Sequence, residues 1–111
     1  MKKQVSIDNN HLIKKFFRSN KKNESFIRSE IENHLITLII QRPYKIKSIP
    51  KHYYDGKIIY EYKIPLDGNK NCRVAYIHQD DDHILAFFIS NTTVKQEFVK
   101  LLRKVSAVHV D

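Results

Sequence analysis

The sequence predicts an α+β domain in which a helical hairpin packs on a small antiparallel meander sheet, with a further helix at the C-terminus. Two observations predict this fold class. Up to about residue 40, apolar residues recur three and four positions apart, which is the spacing of helices buried on one face. From Lys57 they alternate with polar residues, which is the spacing of strands. The chain has 111 residues, enough for one core, so we expect a single domain over residues 1–111.

The first part of the chain predicts one strand and two helices. Residues 2–7 alternate weakly and predict a short strand. Asn9 and Asn10 then offer side-chain oxygens that cap a helix N-terminus. The apolar face of that helix consists of Leu12, Ile13, Phe16 and Phe17. Residues 19–23 predict a short connection to a second helix, which ends before Pro43. Its apolar positions are Phe26, Ile27, Ile31, Leu35, Leu38 and Ile39.

The spacing of apolar residues changes in the middle of the chain. Residues 44–56 are rich in lysine and contain Pro50, and we interpret them as an irregular basic connection. Residues 57–64 alternate strictly and predict a strand with one polar face. We expect one face to carry Ile58, Tyr60, Tyr62 and Ile64, and the other to carry Ile59, Glu61 and Lys63. Asp67 and Gly68 then predict a turn, because glycine adopts positive φ without steric cost.

The last part predicts two more strands and a helix. Residues 73–78 alternate, residues 79–82 form an acidic turn, and residues 84–89 are almost continuously apolar, as in a strand covered on both faces. Thr93 and Gln96 have the spacing of a helix capping box. The buried stripe of this final helix consists of Phe98, Leu101, Leu102 and Val105.

The charge of the chain is large and unevenly distributed. The net charge is +8, and residues 1–60 hold thirteen basic and five acidic side chains, whereas residues 61–111 hold seven of each. A compact domain with this imbalance has a positive lobe that attracts a phosphate backbone or an acidic protein. A solvated lysine-rich surface without a partner explains the same composition.

Several classes of protein are disfavoured by composition. Cys72 is the single cysteine, so it forms no internal disulfide, and we expect a reducing compartment. No apolar run approaches the roughly 20 residues that span a bilayer, and no apolar segment follows the N-terminal lysines as in a signal peptide. We therefore expect a cytoplasmic protein without membrane contact. We interpret residues 78–83, with two histidines and three aspartates, as a solvated turn, and expect no metal or cofactor.

The order of elements, together with three short stretches, resembles a known family. The stretches are the alternating residues 59–64, the Arg-Val-Ala-Tyr sequence of residues 73–76, and the apolar residues 84–89 after an acidic turn. This combination resembles the RelE/ParE superfamily, the toxins of bacterial type II toxin–antitoxin systems, which includes HigB-like toxins. The resemblance implies a RelE-like fold over the whole chain.

The resemblance also implies a chemistry. The RNA-cleaving branch of the family cuts mRNA in the ribosomal A site, using the 2′-hydroxyl as nucleophile and no metal. By this resemblance, Arg73 is the phosphate-binding arginine and Lys63 the basic residue of the preceding strand. Lys95 supplies a positive charge after the last strand, where relatives have arginine, and Glu61 is a candidate for proton transfer. The other candidates for proton transfer are His52, Tyr60, Tyr62 and Tyr76.

The basic connection is the predicted RNA-binding segment. Lysines that contact phosphates alternate there with tyrosines that stack on bases, as in proteins that bind single strands. The predicted RNA-binding residues are Lys45, Lys47, Lys51, Tyr53, Tyr54 and Lys57, with Tyr44 beside them.

Three functions remain open from the sequence. The first is a ribosome-dependent mRNA endoribonuclease toxin, whose partners are the ribosome, mRNA and a cognate antitoxin protein. The second is a ParE-like toxin that binds DNA gyrase or another protein. Phe98 favours it, because Phe98 stands where a catalytic tyrosine is expected and phenylalanine transfers no proton. The third is a small nucleic-acid-binding protein of a phage or mobile element.

Overall fold

The computed structural model describes residues 3–92 and 94–111, and within these ranges it contains three α-helices and one six-stranded sheet. The predicted α+β class is therefore confirmed. The strands are β1 (Gln4–Ile7), β2 (Lys47–Tyr54), β3 (Lys57–Pro65), β4 (Asn71–His78), β5 (His83–Ser90) and β6 (Val108–Val110). The helices are α1 (His11–Ser19), α2 (Glu24–Gln41) and α3 (Lys95–Leu102). None of these helices has both the length and the apolar content needed to cross a bilayer.

The sheet has the strand order β1-β5-β4-β3-β2-β6. Strands β2 to β5 form an antiparallel meander, and β6 adds to the free edge of β2. The opposite edge is closed by β1, which runs parallel to β5. The predicted turn between β3 and β4 is confirmed, since Gly68 has a φ of 69° and the Leu66 amide donates to the Lys70 carbonyl at 2.7 Å.

The helical hairpin covers one face of the sheet. Asn10 caps α1 as expected, because its side-chain oxygen accepts from the amides of Leu12 and Ile13 at 3.0 and 2.9 Å. A short 3₁₀ turn, Lys21–Asn23, joins the two helices. The core on this face is built from buried side chains of both helices and three strands. It includes Ile13, Phe17, Ile27, Ile31, Leu35, Tyr62, Cys72, Val74, Tyr76 and Ile84.

The other face is covered by α3, which corrects the prediction of a polar face on β3. Ile59 is fully buried there and Glu61 is 3% exposed, because Phe98 and Leu102 of α3 pack over this side of the sheet. The stripe of α3 thus belongs to a second core. Thr93, the predicted capping residue, lies outside the described residues, as does Lys2 of the predicted first strand.

The predicted irregular connection is wrong over most of its length, because β2 occupies residues 47–54. A bulge in this strand interrupts the alternation of apolar and polar residues by which a strand is predicted. Its register against β3 shifts between Ser48 and Tyr53, and Lys51 within the shift has a φ of 63°. The extra residue places Ile49 and His52, three positions apart, both in buried positions. A bulge also accommodates Pro50, which cannot donate to a ladder.

Candidate functional site

A cleft of about 570 Å³ opens on the α3 side of the sheet, near the start of β2. We call it the basic cleft. Its lining includes four lysines and one ion pair, namely Lys45, Lys47, Lys63, Lys95 and the pair of Glu61 with Arg73. All four lysines are exposed, whereas both members of the pair are buried. The cleft therefore has an internally paired floor and a positively charged rim.

Strand register explains why these side chains converge. Glu61 and Lys63 are two positions apart on β3, so they share a face. Lys47 lies opposite Glu61, and Arg73 lies opposite Lys63, so the neighbouring strands add their side chains to the same face. Lys95 is the first residue of α3, the helix that covers this face.

The floor of the cleft is a buried ion pair. Arg73 is 5% exposed, and its Nη1 donates to Oε2 of Glu61 on the adjacent strand. The Arg73 guanidinium carbon also lies 5.7 Å from the centre of the Phe98 ring, within the range of a cation–π contact. Strand and helix together hold the pair in place, so its charges have a fixed orientation toward the cleft.

The structure brings together six of the ten residues predicted from the sequence. All four predicted catalytic residues line the basic cleft, as do the first two of the predicted RNA-binding residues. These six are Glu61, Lys63, Arg73, Lys95, Lys45 and Lys47. Tyr44 lines the cleft as well and is 68% exposed, so its ring is accessible for stacking.

The other four predicted RNA-binding residues lie toward the far end of the β2–β3 hairpin. Tyr54 is paired with Lys57 beside the hairpin turn. Since Lys57 precedes Lys63 by six positions on one strand, the two backbones are about 20 Å apart. The Tyr54 ring packs on Phe87 at 4.2 Å between centroids, and burial raises its pKa. Tyr53 pairs with His109 of β6, and Lys51 lies in the bulge.

Three of the four alternative proton-transfer residues, His52, Tyr60 and Tyr76, lie outside the basic cleft. His52 is buried in a separate pocket with Ile49 and Arg103, where Arg103 Nε donates to its Nε2 at 3.1 Å. Its Nδ1 is 2.8 Å from the Pro50 carbonyl oxygen, so both ring nitrogens are engaged. Tyr60 and Tyr76 stack on each other at 5.5 Å on the face covered by the helical hairpin. Burial raises the pKa of Tyr76 further above its ordinary value.

One residue of the site was missed from the sequence. Asn71 lines the cleft at the start of β4. The sequence pattern around Asn71 gives no indication that it belongs to a site. Tyr62, one of the predicted proton-transfer candidates, lies on the hairpin-covered face as expected, is buried, and lines both the basic cleft and a second pocket. Among the described residues, no three His, Cys, Asp or Glu side chains are grouped so that they could hold a metal ion.

The basic cleft has the chemistry of a phosphate-binding site. Exposed ammonium groups around a neutral pair create a local positive potential at the cleft. The Glu61 carboxylate is the one acidic side chain of the lining, and it can accept a proton.

Comparison of the chain with protein-family models, with curated proteins and with solved structures found no match.

Proposed function

We propose that the protein binds single-stranded RNA in the basic cleft and cleaves it without a metal ion. The observation that carries this proposal is the arrangement of Lys45, Lys47, Lys63 and Lys95 around the Glu61–Arg73 pair. Four exposed cations around one cleft fit the spaced charges of a phosphate backbone. The single carboxylate among them supplies the base that such a cleavage needs.

The proposed reaction is an internal transesterification. The Glu61 carboxylate takes the proton of the RNA 2′-hydroxyl, whose oxygen then bonds to the adjacent phosphorus. The bond from phosphorus to the 5′-oxygen breaks, and the ammonium of Lys63 or Lys95 donates a proton to that oxygen. The products are a 2′,3′-cyclic phosphate and a 5′-hydroxyl. Arg73 stabilises the additional negative charge of the transition state.

In the cell, we propose that this chemistry is that of a RelE-like toxin of a type II toxin–antitoxin system. The resemblance of residues 59–64, 73–76 and 84–89 supports this assignment, as does the confirmed order of a strand, a helical hairpin and a meander. The substrate is then mRNA on the ribosome, the compartment is the cytoplasm, and the partner is a cognate antitoxin protein that neutralises the cleft.

Replacement of two exposed cleft lysines tests the nuclease. In Lys63→Gln/Lys95→Gln, we expect mRNA cleavage during cell-free translation, mapped by primer extension, to fall about a hundredfold or more, as when general acid catalysis is lost. Because both side chains are exposed, the fold should be unaffected. The matched control is Lys15→Gln/Lys104→Gln, which removes the same charge from exposed positions outside the cleft. Equal cleavage by both double variants would contradict the proposal.

A second candidate function is favoured by one observation. Arg73 is already paired with a buried carboxylate in the free protein, as in a structural ion pair. A ParE-like toxin, which binds DNA gyrase and cleaves no RNA, requires only the charged surface. Under this alternative, the wild-type protein leaves mRNA intact in cell-free translation and causes cleaved DNA to accumulate with purified gyrase.

A further inference from the structure

A second pocket of about 420 Å³ lies between the last half of α2 and the end of β3. We call it the helix-side pocket. Lys45, Tyr62 and Lys63 line both this pocket and the basic cleft, so the two cavities share a border. Its volume is within the range of small-molecule sites, about 300 to 1,000 Å³.

Tyr62 is the buried polar group of this pocket. Its side chain is 4% exposed, and its hydroxyl has no hydrogen-bond partner among the described residues. A buried hydroxyl without a partner is unfavourable, and nearly all such groups in folded proteins are satisfied. Burial raises the pKa of Tyr62 well above its ordinary value, so the group is a protonated donor at neutral pH. A ligand with a hydrogen-bond acceptor would satisfy it.

The remaining lining describes the ligand. Leu35, Leu38 and Ile64 form apolar walls, and Arg42, Lys45 and Lys63 bring positive charge. Glu30 also lines the pocket, where its Oε2 lies 3.5 Å from His34 Nδ1. A pocket that offers one acceptor, one donor and apolar walls suits a ring with a polar edge, whereas its carboxylate disfavours an acidic ligand.

We propose that the helix-side pocket binds one nucleobase, with the attached phosphate held by Lys45 and Lys63 at the border of the basic cleft. The Tyr62 hydroxyl donates to a ring nitrogen or carbonyl of the base, and Glu30 accepts from a neighbouring N–H. This inference rests on the proposed binding of RNA in the basic cleft. A nucleotide unit reaches the pocket either as part of an RNA strand or as a free mononucleotide.

The test compares single-stranded RNA hexamers with an abasic hexamer, which keeps the phosphates but has no bases. We expect the wild-type protein to bind the RNA several-fold more tightly than the abasic strand. Tyr62→Phe removes only the hydroxyl, and should weaken RNA binding about fivefold while leaving abasic binding unchanged. Tyr60→Phe is the matched control, since it lies on the same strand and does not line the pocket. Leu38→Trp fills the pocket from α2, and it should also weaken RNA binding while leaving abasic binding unchanged.

The outcomes separate this inference from the proposed function. If Tyr62→Phe and Leu38→Trp bind both strands as the wild type does, while Lys63→Gln/Lys95→Gln weakens both, the cleft binds RNA and the base pocket is refuted. If no strand is bound but 5′-mononucleotides are, in a manner that depends on Tyr62, the pocket is a site for free nucleotides and the RNA proposal fails. If neither strands nor mononucleotides bind, both are wrong.

Discussion

The buried pair of Glu61 and Arg73 has two consequences for experiments on single residues. Both side chains are buried at the floor of the basic cleft, so removal of one leaves the other charge without its counter-charge in a poorly hydrated position. An unpaired buried charge typically costs about 3 to 5 kcal/mol, a large part of the stability of a small domain. Loss of function after removal of Arg73 alone would therefore report unfolding as readily as lost catalysis.

At this scale we predict that Arg73→Met lowers the free energy of unfolding by about 3 to 5 kcal/mol. The double variant Glu61→Leu/Arg73→Met should recover most of that loss, because apolar residues then replace the whole pair. Urea denaturation of the wild type, the single variant and the double variant measures both values. A double variant no more stable than the single one would show that the unpaired carboxylate is not the cause.

At the scale of elements, the bulge in β2 is the feature that prevented prediction of this strand from the sequence. Lys51 has a φ of 63°, in the left-handed region where a β-carbon is unfavourable and glycine is not. In a regular strand, valine is preferred over glycine. At the bulge, we expect glycine to be more stable than valine.

We therefore predict that Lys51→Gly unfolds at a higher temperature than Lys51→Val, with a difference of about 1 to 2 kcal/mol in stability. Ser48, an exposed residue of the same strand that is paired in register with Tyr60, is the control position. There, Ser48→Val should be at least as stable as Ser48→Gly. The same order at both positions would mean that Lys51 is not strained.

The elements also explain how much of the fold and site could be predicted. Helix α1 with its Asn10 cap, α2 and the strands β3 to β5 follow from regular periodicity and turn chemistry, and all were predicted. Strand β2 was missed because the bulge changes the phase of its alternation, and β6 because three residues hold too little pattern. The bulge in β2 also limited the prediction of the site. Alternation on β3 placed Glu61 with Lys63, but only the register of β2 places Lys47 opposite Glu61 in the cleft and Tyr54 opposite Lys57 far from it.

On the scale of the whole molecule, both faces of the sheet are covered, and a half-buried histidine lies at the end of an interior strand. His78 ends β4 and lies 5.6 and 5.7 Å from the rings of Tyr60 and Tyr76. Burial lowers its pKa, and Lys3 lowers it further. In the unfolded chain, His78 binds a proton at its ordinary pKa of about 6.5. The neutral His78 of the folded protein therefore makes its full contribution to stability above pH 6.5. This contribution is lost as the pH falls from 6.5 through the lower pKa that His78 has in the folded protein.

We predict that the unfolding temperature of the wild type falls more between pH 7.5 and pH 5 than that of His78→Gln. The other ionisable groups are common to both proteins, so the difference isolates His78. Differential scanning calorimetry at several pH values in this range measures it. Parallel curves would show that His78 keeps the same proton affinity in both states.

The parallel pairing of β1 with β5 has a consequence for the synthesis of the chain. Gln4 pairs with His83, so β1 gains its sheet partner only after the chain has been translated as far as β5. Closing a loop of that length costs entropy before any contact compensates it, and contacts between distant residues slow folding. Translation that stops before residue 83 therefore leaves β1 unpaired, and a truncated nascent chain cannot complete the sheet on which Glu61, Lys63 and Arg73 depend for their alignment.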